Sequence, residues 1–154
     1  MPVSITAEDP IAPDIVALLD AHLAFAHEVT PQDHVHALDL DALRVPEIVF
    51  CAARDDGELL GVGAIRDFGD GRGEIKSMHT AAAARGRGVG RQMVEHLLEI
   101  ARDRRMRWVG LETGTYDAFA AARSLYRSLG FEECPPFEQY TVNPHSVCMA
   151  LELH

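Results

Sequence analysis

The sequence predicts a mixed α/β domain of the α+β type, with a mostly antiparallel central sheet flanked by helices. Glycine-rich turns separate β-favouring segments between residues 47 and 80. Two amphipathic helical patterns follow residue 88, and an apolar strand pattern lies between them. Strands joined by tight turns pair antiparallel, whereas a strand, a helix and a strand in succession form a crossover. We therefore expect an antiparallel first half and a crossover helix in the second half.

The first half of the chain begins with a strand and a helix. Residues 3–6 alternate apolar and polar side chains, as in a strand, and apolar residues recur at helical spacing after Pro13. Residues 39–44 predict a short second helix. Residues 47–54 and 59–65 flank an Asp-Gly pair and predict a hairpin.

The second half supplies one more hairpin strand, two helices and the remaining strands. Residues 74–80 follow a second glycine-rich turn and predict a strand. Residues 88–105 and 119–129 predict amphipathic helices, and residues 108–112 predict the buried strand between them. Two strands complete the chain, the last over residues 146–153. The predicted order is β-α-α-β-β-β-α-β-α-β-β.

Length and charge restrict the possible functions. The 154 residues fit one domain, expected to span residues 1–154, because no linker composition divides the chain. Lys and Arg total 14 whereas Asp and Glu total 24, so the formal net charge is -10. Such a surface repels phosphate, so neither nucleic acid nor a membrane is expected as a partner. No apolar run approaches the roughly 20 residues that span a bilayer.

The cysteine and histidine patterns predict neither a disulfide framework nor a metal site. The three cysteines are an odd, widely spaced set, which favours reduced thiols in a cytoplasmic protein. The first nine residues lack the basic and apolar segments of a secretory signal. His34 and His36 are close in sequence, but no nearby carboxylate completes a ligand set.

A glycine-rich basic segment precedes the first amphipathic helix of the second half. The segment is Arg85-Gly86-Arg87-Gly88-Val89-Gly90, followed by Arg91. Glycines let the backbone turn tightly and approach a ligand, and the free N–H groups of a helix start favour an anion. We interpret the segment as a pyrophosphate site, the alternative being a solvated basic turn. The residues that complete a dinucleotide-binding fingerprint or a P-loop do not follow it.

The pattern R-x-x-G-x-G in this segment resembles the acyl-CoA-binding signature of the GNAT N-acetyltransferase superfamily. Residues 74–80 and 108–114 are similar to the family's strands on either side of the signature. Residues 122–131, A-R-S-L-Y-R-S-L-G-F, resemble its A-x-x-L-Y-x-x-x-G-F helix end. Because the order and spacing agree over residues 74–131, the chain is similar to small stand-alone bacterial members of the superfamily.

The resemblance implies a GNAT-like fold in which two central strands splay apart and admit acetyl-CoA as cosubstrate. Backbone N–H groups of the basic turn would hold the pyrophosphate, the end of residues 74–80 would run beside the pantetheine arm, and an N–H near Thr80 would polarise the thioester carbonyl. The positions expected to contact the cofactor are Met78, His79, Thr80, Arg85, Gly86, Arg87, Gly88, Val89, Gly90, Arg91, Thr113 and Ala122.

The resemblance also implies catalytic residues. Tyr126 matches the family tyrosine that protonates the departing thiolate, although a tyrosine on an amphipathic helix also commonly serves packing alone. The general base is left open among Glu74, Glu112, His79 and a water chain. Glu112 ends a strand that faces the cofactor in the family, whereas strand alternation is expected to point His79 away. For Glu74 and Glu112 the alternative is a salt bridge or a solvated carboxylate.

One position departs from the family pattern. Many members carry an asparagine near the start of the tyrosine-bearing helix, where it contacts the cofactor, and Phe119 occupies that position here. Thr113, Gly114 and Thr115 are the nearby residues expected to supply polar contacts instead.

The implied reaction transfers an acetyl group to a primary amine of a small molecule or peptide by direct attack on the thioester. The alternative is an acyl-CoA sensor without catalysis, which the presence of Tyr126 disfavours. Family analogy suggests a homodimer. Acceptor contacts are expected from the first helices, the loop between them and the C-terminal segment, namely from His27, Glu28, His34, His36, Phe137, Glu138, Tyr140, Asn143 and His145.

Overall fold

A seven-stranded sheet organises the part of the chain that the computed structural model describes. Residues 3–29, 40–138, 140–142 and 144–153 are described, with only the backbone over residues 22–29. The strand order is β1-β2-β3-β4-β5-β7-β6, and neighbours are antiparallel except β4 and β5, which are parallel. The strands are β1 (Ser4–Ala7), β2 (Ile48–Asp55), β3 (Glu58–Asp67), β4 (Arg72–Thr80), β5 (Trp108–Gly114), β6 (Glu132–Cys134) and β7 (Ser146–Glu152). The predicted mixed, mostly antiparallel sheet is confirmed.

Three α-helices are present in the described residues: α1 (Pro13–Val29), α2 (Val89–Asp103) and α3 (Ala120–Ser128). The prediction of a second helix over residues 39–44 is wrong in extent, because the described part of that segment forms only a 3-10 turn over Ala42–Arg44. Pro46 disfavours helical backbone at Val45, which is extended at φ -79° and ψ 154°. None of the described helices is both long and apolar enough to cross a membrane.

The helices cover the two faces of the sheet. Helix α2 connects the parallel strands β4 and β5 as the predicted crossover. Its apolar stripe is buried, which matches the predicted pattern; the stripe consists of Val89, Met93, Val94, Leu97, Leu98 and Ala101. On the opposite face, α1 packs through Ile15 and Leu19 against Phe50, Val62 and Ala64. We call these the α2 face and the α1 face.

Strands β4 and β5 pair over only part of their lengths. Their ladder consists of three residue pairs and ends at Glu74 and Gly110. Strand β4 nevertheless continues to Thr80, and β5 continues to Gly114. The two strands therefore diverge beyond Glu74 and Gly110, which confirms the splayed central pair.

A β-bulge interrupts β4 inside the splay. Lys76 pairs with Ala64, and His79 pairs with Val62. Three steps along β4 are therefore matched by two steps along β3, which leaves one extra residue on β4. Ser77 has a φ of 59°, the left-handed region that non-glycine residues rarely adopt. The bulge therefore changes which face of the sheet the residues after Ser77 occupy.

Candidate active site

The glycine-rich turn presents backbone N–H groups at the start of α2. Gly86 and Gly88 have φ angles of 81° and 78°, and a Cβ built on either meets nothing within 4 Å. Glycine is therefore required there by conformation rather than by crowding. The first intrahelical bond runs from the Gln92 N–H to the Gly88 carbonyl. Within the described residues, no backbone carbonyl accepts a hydrogen bond from the N–H groups of residues 89–91, so these donors can bind an anion.

Three exposed arginines surround this turn. The Arg87 guanidinium lies 3.3 Å from Asp55, and the Arg91 guanidinium donates to the Ser128 hydroxyl at 3.0 Å. Arg85 forms no ion pair with the described residues. Exposed contacts of this kind contribute about 1 kcal/mol or less. The arginines are therefore free to turn toward a phosphate.

The end of β4 lines the splay. Met78 fills the space over Gly63 on the α2 face, and Thr80, paired with Gly61, approaches Gly90 at the start of α2. Because β5 has already diverged, β4 has no β5 partner beyond Glu74. An extended amide chain could pair with that edge as an added strand would.

His79 lies on the α1 face. Strand alternation predicts that its side chain points away from the reaction site, but the structure places it on the same face as Glu74. Its partner Val62 is buried beneath α1, and side chains directly opposite one another on paired strands share a face. The bulge at Ser77 is the physical reason, because one inserted residue reverses the alternation.

Tyr126 is almost completely buried on α3. Its side chain is 6% exposed, and its ring centre lies 5.8 Å from that of Phe131. Burial raises the pKa of Tyr126 to about 12, because the low-dielectric surroundings disfavour the phenolate. The phenol is therefore neutral at physiological pH and has a proton to donate. Ala122, one turn earlier, is half-buried against the same core.

Glu74 is a buried carboxylate on β4. It is 1% exposed, and its Oε2 accepts a hydrogen bond from the Tyr140 hydroxyl. Its Oε1 has no hydrogen-bond partner in the described part of the chain. Burial and the negative charge of Glu74 raise the pKa of Tyr140 well above its usual range, so Tyr140 remains the donor. One carboxylate oxygen is thus held while the other is left for a further donor.

Glu112 lies beside this pair on β5. The Ser146 hydroxyl donates to Glu112 Oε2 at 3.0 Å, and Glu112 is paired with Cys148 on β7. Burial, followed by the charge of Glu112, raises the pKa of Cys148 to about 11. Leu111 is buried on the α2 face, so strand alternation places Glu112 on the α1 face with Glu74. The negative charges of both carboxylates raise the pKa of Tyr140.

Aromatic rings cover part of that cluster. Phe137 lies edge-on to Trp108 at 5.1 Å and to Tyr140 at 5.2 Å between ring centres. Glu138 forms an ion pair with Arg72 at 2.8 Å, which ties this C-terminal segment to the start of β4. The sequence placed Phe137, Glu138 and Tyr140 on the acceptor side, but it did not indicate that Tyr140 binds Glu74.

The segment around Phe119 is held by its own contacts. A Cβ on Gly114 would collide with the Phe119 ring. The Thr115 hydroxyl donates to the Pro144 carbonyl at 2.6 Å. The Arg123 guanidinium donates to the carbonyls of Gly114 and Tyr116 at 2.7 Å and 2.9 Å. The contacts of Arg123 were not predicted, because nothing in the neighbouring sequence indicates that its side chain binds two loop carbonyls.

Some predicted acceptor residues lie outside the described residues. They are His34, His36 and Asn143, together with the side chains of His27 and Glu28. His145 is described and hydrogen-bonds with Tyr116. In the described part of the chain, no group of three His, Cys, Asp or Glu residues is arranged to hold a metal ion.

Known proteins resemble this chain along most of its length. The profile of the Acetyltransferase (GNAT) family matches residues 15–131. The uncharacterized N-acetyltransferase YsnE of Bacillus subtilis (strain 168) is 40% identical over 149 residues, covering 97% of this chain and 99% of its own.

Solved structures share the fold. A Klebsiella pneumoniae protein provisionally assigned as an acyl-CoA N-acyltransferase superposes with a TM-score of 0.81 at 29% identity, covering 99% of this chain and 98% of its own. A Bacillus subtilis acetyltransferase solved in complex with CoA superposes with a TM-score of 0.71 at 18% identity, covering 99% of this chain and 100% of its own. At that identity the second likeness concerns the fold alone.

Proposed function

Because the chain belongs to the GNAT acetyltransferase family, we propose that it transfers an acetyl group from acetyl-CoA to a primary amine by direct attack of the amine on the thioester. The observation that carries this proposal is the end of the β4–β5 ladder at Glu74. Beyond that residue the two strands diverge beside the glycine-rich turn at the start of α2. The acceptor is a small molecule or a peptide amine. The domain is proposed to span residues 1–154, and the homodimer that family analogy suggests is to be tested by sedimentation.

Acetyl-CoA is proposed to bind along the turn and the splay. The N–H groups of residues 87–91 hold the pyrophosphate, and Arg85, Arg87 and Arg91 turn toward it. The edge of β4 that faces the splay, at Met78, His79 and Thr80, pairs with the amides of the pantetheine arm. Gly86 permits the backbone to approach, and Thr113 and Ala122 line the opposite side from β5 and α3.

Glu74 is the proposed base of the reaction. Most primary amines are protonated near neutral pH and cannot attack until they lose a proton. The free Oε1 of Glu74 accepts that proton, while Tyr140 holds Oε2 in place. Glu112 is the second candidate, but Ser146 already donates to it and it is less buried.

Tyr126 is the proposed acid. As the N–C bond forms and the C–S bond breaks, negative charge collects first on the carbonyl oxygen and then on the sulfur. A backbone N–H near Thr80 stabilises the oxygen. The Tyr126 phenol, neutral because burial raises its pKa to about 12, gives its proton to the sulfur.

The alternative, an acyl-CoA sensor without catalysis, is not favoured, because the curated relative is named an N-acetyltransferase. A thiol-release assay with acetyl-CoA and a panel of amines tests the two. Saturable thiol release that depends on an amine supports the enzyme. Tight acetyl-CoA binding without thiol release from any amine supports the sensor.

The donor site is tested by Arg87→Glu. Reversing this charge beside the turn should weaken acetyl-CoA binding by at least about tenfold, as loss of a charge-assisted phosphate contact predicts. Calorimetric titration measures the dissociation constant. The matched control is Arg102→Glu, an equal charge reversal on the exposed last turn of the same helix. Equal weakening in both variants would show a long-range charge effect and contradict the site.

A further inference from the structure

The α1 face of β4 holds two charged groups that lack a full set of partners. Glu74 is 1% exposed, yet its Oε1 has no hydrogen-bond partner in the described residues. Leaving a buried acceptor unpaired costs stability, and the cost is greater for a charged group. A bound donor would remove that cost, so the oxygen indicates a site for a cationic or N–H group of a ligand.

Lys76 is the second group. It is the only lysine in the sequence, and it lies two residues after Glu74. Its partner Ala64 is buried on the α1 face, as is the partner of His79, so Lys76 lies on the same face as these residues. The side chain is half-buried, and no described residue forms an ion pair or hydrogen bond with its ammonium group.

The two groups are placed to bind opposite ends of one small molecule. Two residues along one strand separate their Cα atoms by about 7 Å. In the described residues they form no ion pair with each other, so neither charge is neutralised by the other. The Ser77 bulge follows Lys76 directly, and the β4 edge proposed to bind the thioester arm begins there.

We propose that the acceptor is an amine that also carries a carboxylate, such as a free amino acid, with its ammonium at Glu74 Oε1 and its carboxylate at Lys76. This inference rests on the proposed acetyltransferase function and names its substrate class. Glu74 removes one proton from the ammonium group and releases it to solvent, and the nitrogen attacks the thioester carbonyl. As the C–S bond breaks, the thiolate takes the Tyr126 proton, and the second proton lost by the nitrogen returns through water to the Tyr126 phenolate. Lys76 is a specificity-determining residue that takes no part in proton transfer.

The test compares matched acceptors in the thiol-release assay. Methionine, phenylalanine and leucine are each compared with their α-carboxamides and their decarboxylated amines. The carboxamides have the less basic amino groups and are the easier nucleophiles near neutral pH, so a preference for the free acid reports recognition. For at least one acid, kcat/KM should exceed that of its carboxamide by at least about tenfold, the effect of one charge-assisted contact.

Variants of Lys76 assign the preference to this residue. Lys76→Met should lower kcat/KM for the free acid by about tenfold and leave the carboxamide within about twofold, whereas Lys76→Arg should keep most of the preference. Arg102→Met, the removal of a distant exposed cation, should change neither. Acetyl-CoA binding by calorimetry shows that each variant is folded, and titration of the acid and carboxamide into CoA-loaded protein gives a readout independent of turnover.

The outcomes separate this inference from the function it rests on. Amine-dependent thiol release without preference for the acid, or equal losses on acid and carboxamide in Lys76→Met, would overturn the carboxylate site and leave the acetyltransferase standing. Acetyl-CoA binding with no thiol release from any amine would overturn both. Preference for the acid that disappears only in Lys76→Met supports the site.

Discussion

At the scale of single residues, the proposed chemistry rests on two buried polar side chains. Tyr126 is 6% exposed and Glu74 is 1% exposed. Burial keeps the phenol protonated, because it raises the pKa to about 12. The unpaired oxygen of Glu74 opposes stability, and residues that break local rules at a cost to stability are expected at functional sites.

Replacing Tyr126 by phenylalanine tests the acid. Tyr126→Phe retains the ring packing on Phe131 but removes the proton, so kcat should fall by about 10²-fold or more while acetyl-CoA affinity is unchanged. Steady-state thiol release measures kcat, and calorimetric titration measures the dissociation constant of acetyl-CoA. The loss of an exposed hydroxyl on β1 in Ser4→Ala, outside the proposed machinery, should leave kcat within a few-fold. A Tyr126→Phe enzyme of normal kcat would remove the acid role.

The two carboxylates are distinguished by isosteric amides. Glu74→Gln should lower kcat by about 10²-fold, because an amide cannot accept the proton of the ammonium group. Glu112→Gln should lower it much less, since this carboxylate already accepts the Ser146 hydrogen bond. The control is kcat measured at rising pH. At high pH the amine loses its proton to the solvent, so the kcat of Glu74→Gln should partly recover. The reverse ranking of the two variants would transfer the base role to Glu112.

At the scale of secondary-structure elements, β4 carries most of the site. Its first three residues pair with β5, its later residues form one wall of the splay, and the bulge at Ser77 lies between them. Helix α2 follows the short turn after β4 and directs its free N–H groups to the same opening. A strand end and a helix start, close in sequence, thus supply both parts of the donor site.

The Ser77 bulge predicts an unusual response to substitution. At a φ of 59°, Ser77→Val should lower the free energy of unfolding by about 1–2 kcal/mol relative to Ser77→Gly, because a β-branched residue is disfavoured in the left-handed region and glycine is not. Urea unfolding of the two variants measures the difference. At an ordinary extended position the valine variant would be more stable than the glycine variant. A more stable Ser77→Val protein would therefore argue against the bulge.

At the scale of the whole molecule, one arginine on β2 forms ion pairs with the residue after β1 and with the start of α1. The Arg54 guanidinium binds Glu8 in two places at 2.9 Å and reaches Asp14 at 2.6 Å. The hydrogen bond from Arg54 lowers the pKa of Asp14. Because β1, α1 and β2 meet at this guanidinium, the network holds α1 on the face of the sheet that carries Glu74.

Buried acids predict how stability depends on pH. Burial raises the pKa of Cys51 from 9.0 to about 11 and that of Tyr126 from 10.0 to about 12. The unfolded chain therefore releases protons first as pH rises above 9, so the free energy of unfolding should fall between about pH 9 and 12. Urea unfolding at successive pH values measures this loss. Cys51→Ala should make the decline between pH 9 and 11 less steep, with a remaining decline from Cys148, whose pKa burial also raises to about 11. An unchanged slope would contradict the assignment to Cys51.

The sequence by itself determined the features that depend on neighbouring residues. The turn with Gly86 and Gly88, the buried stripe of α2 and the position of Tyr126 on α3 all follow from spacing within a few turns of chain. Torsional preference and amphipathic periodicity act locally, so one sequence suffices to predict them. The antiparallel pairing of the strands in the first half of the chain was also predictable, because tight turns between neighbouring strands are a local feature.

Only the tertiary structure decided how the site is assembled. Tyr140 meets Glu74 across 66 residues of chain, and the Ser77 bulge turns His79 toward the α1 face. Strand register and loop closure bring such groups together, and a shift of one residue in register exchanges the two faces of a strand. No local pattern encodes that shift, so the unpaired oxygen of Glu74 and the lysine beside it became a candidate acceptor site only in the folded chain.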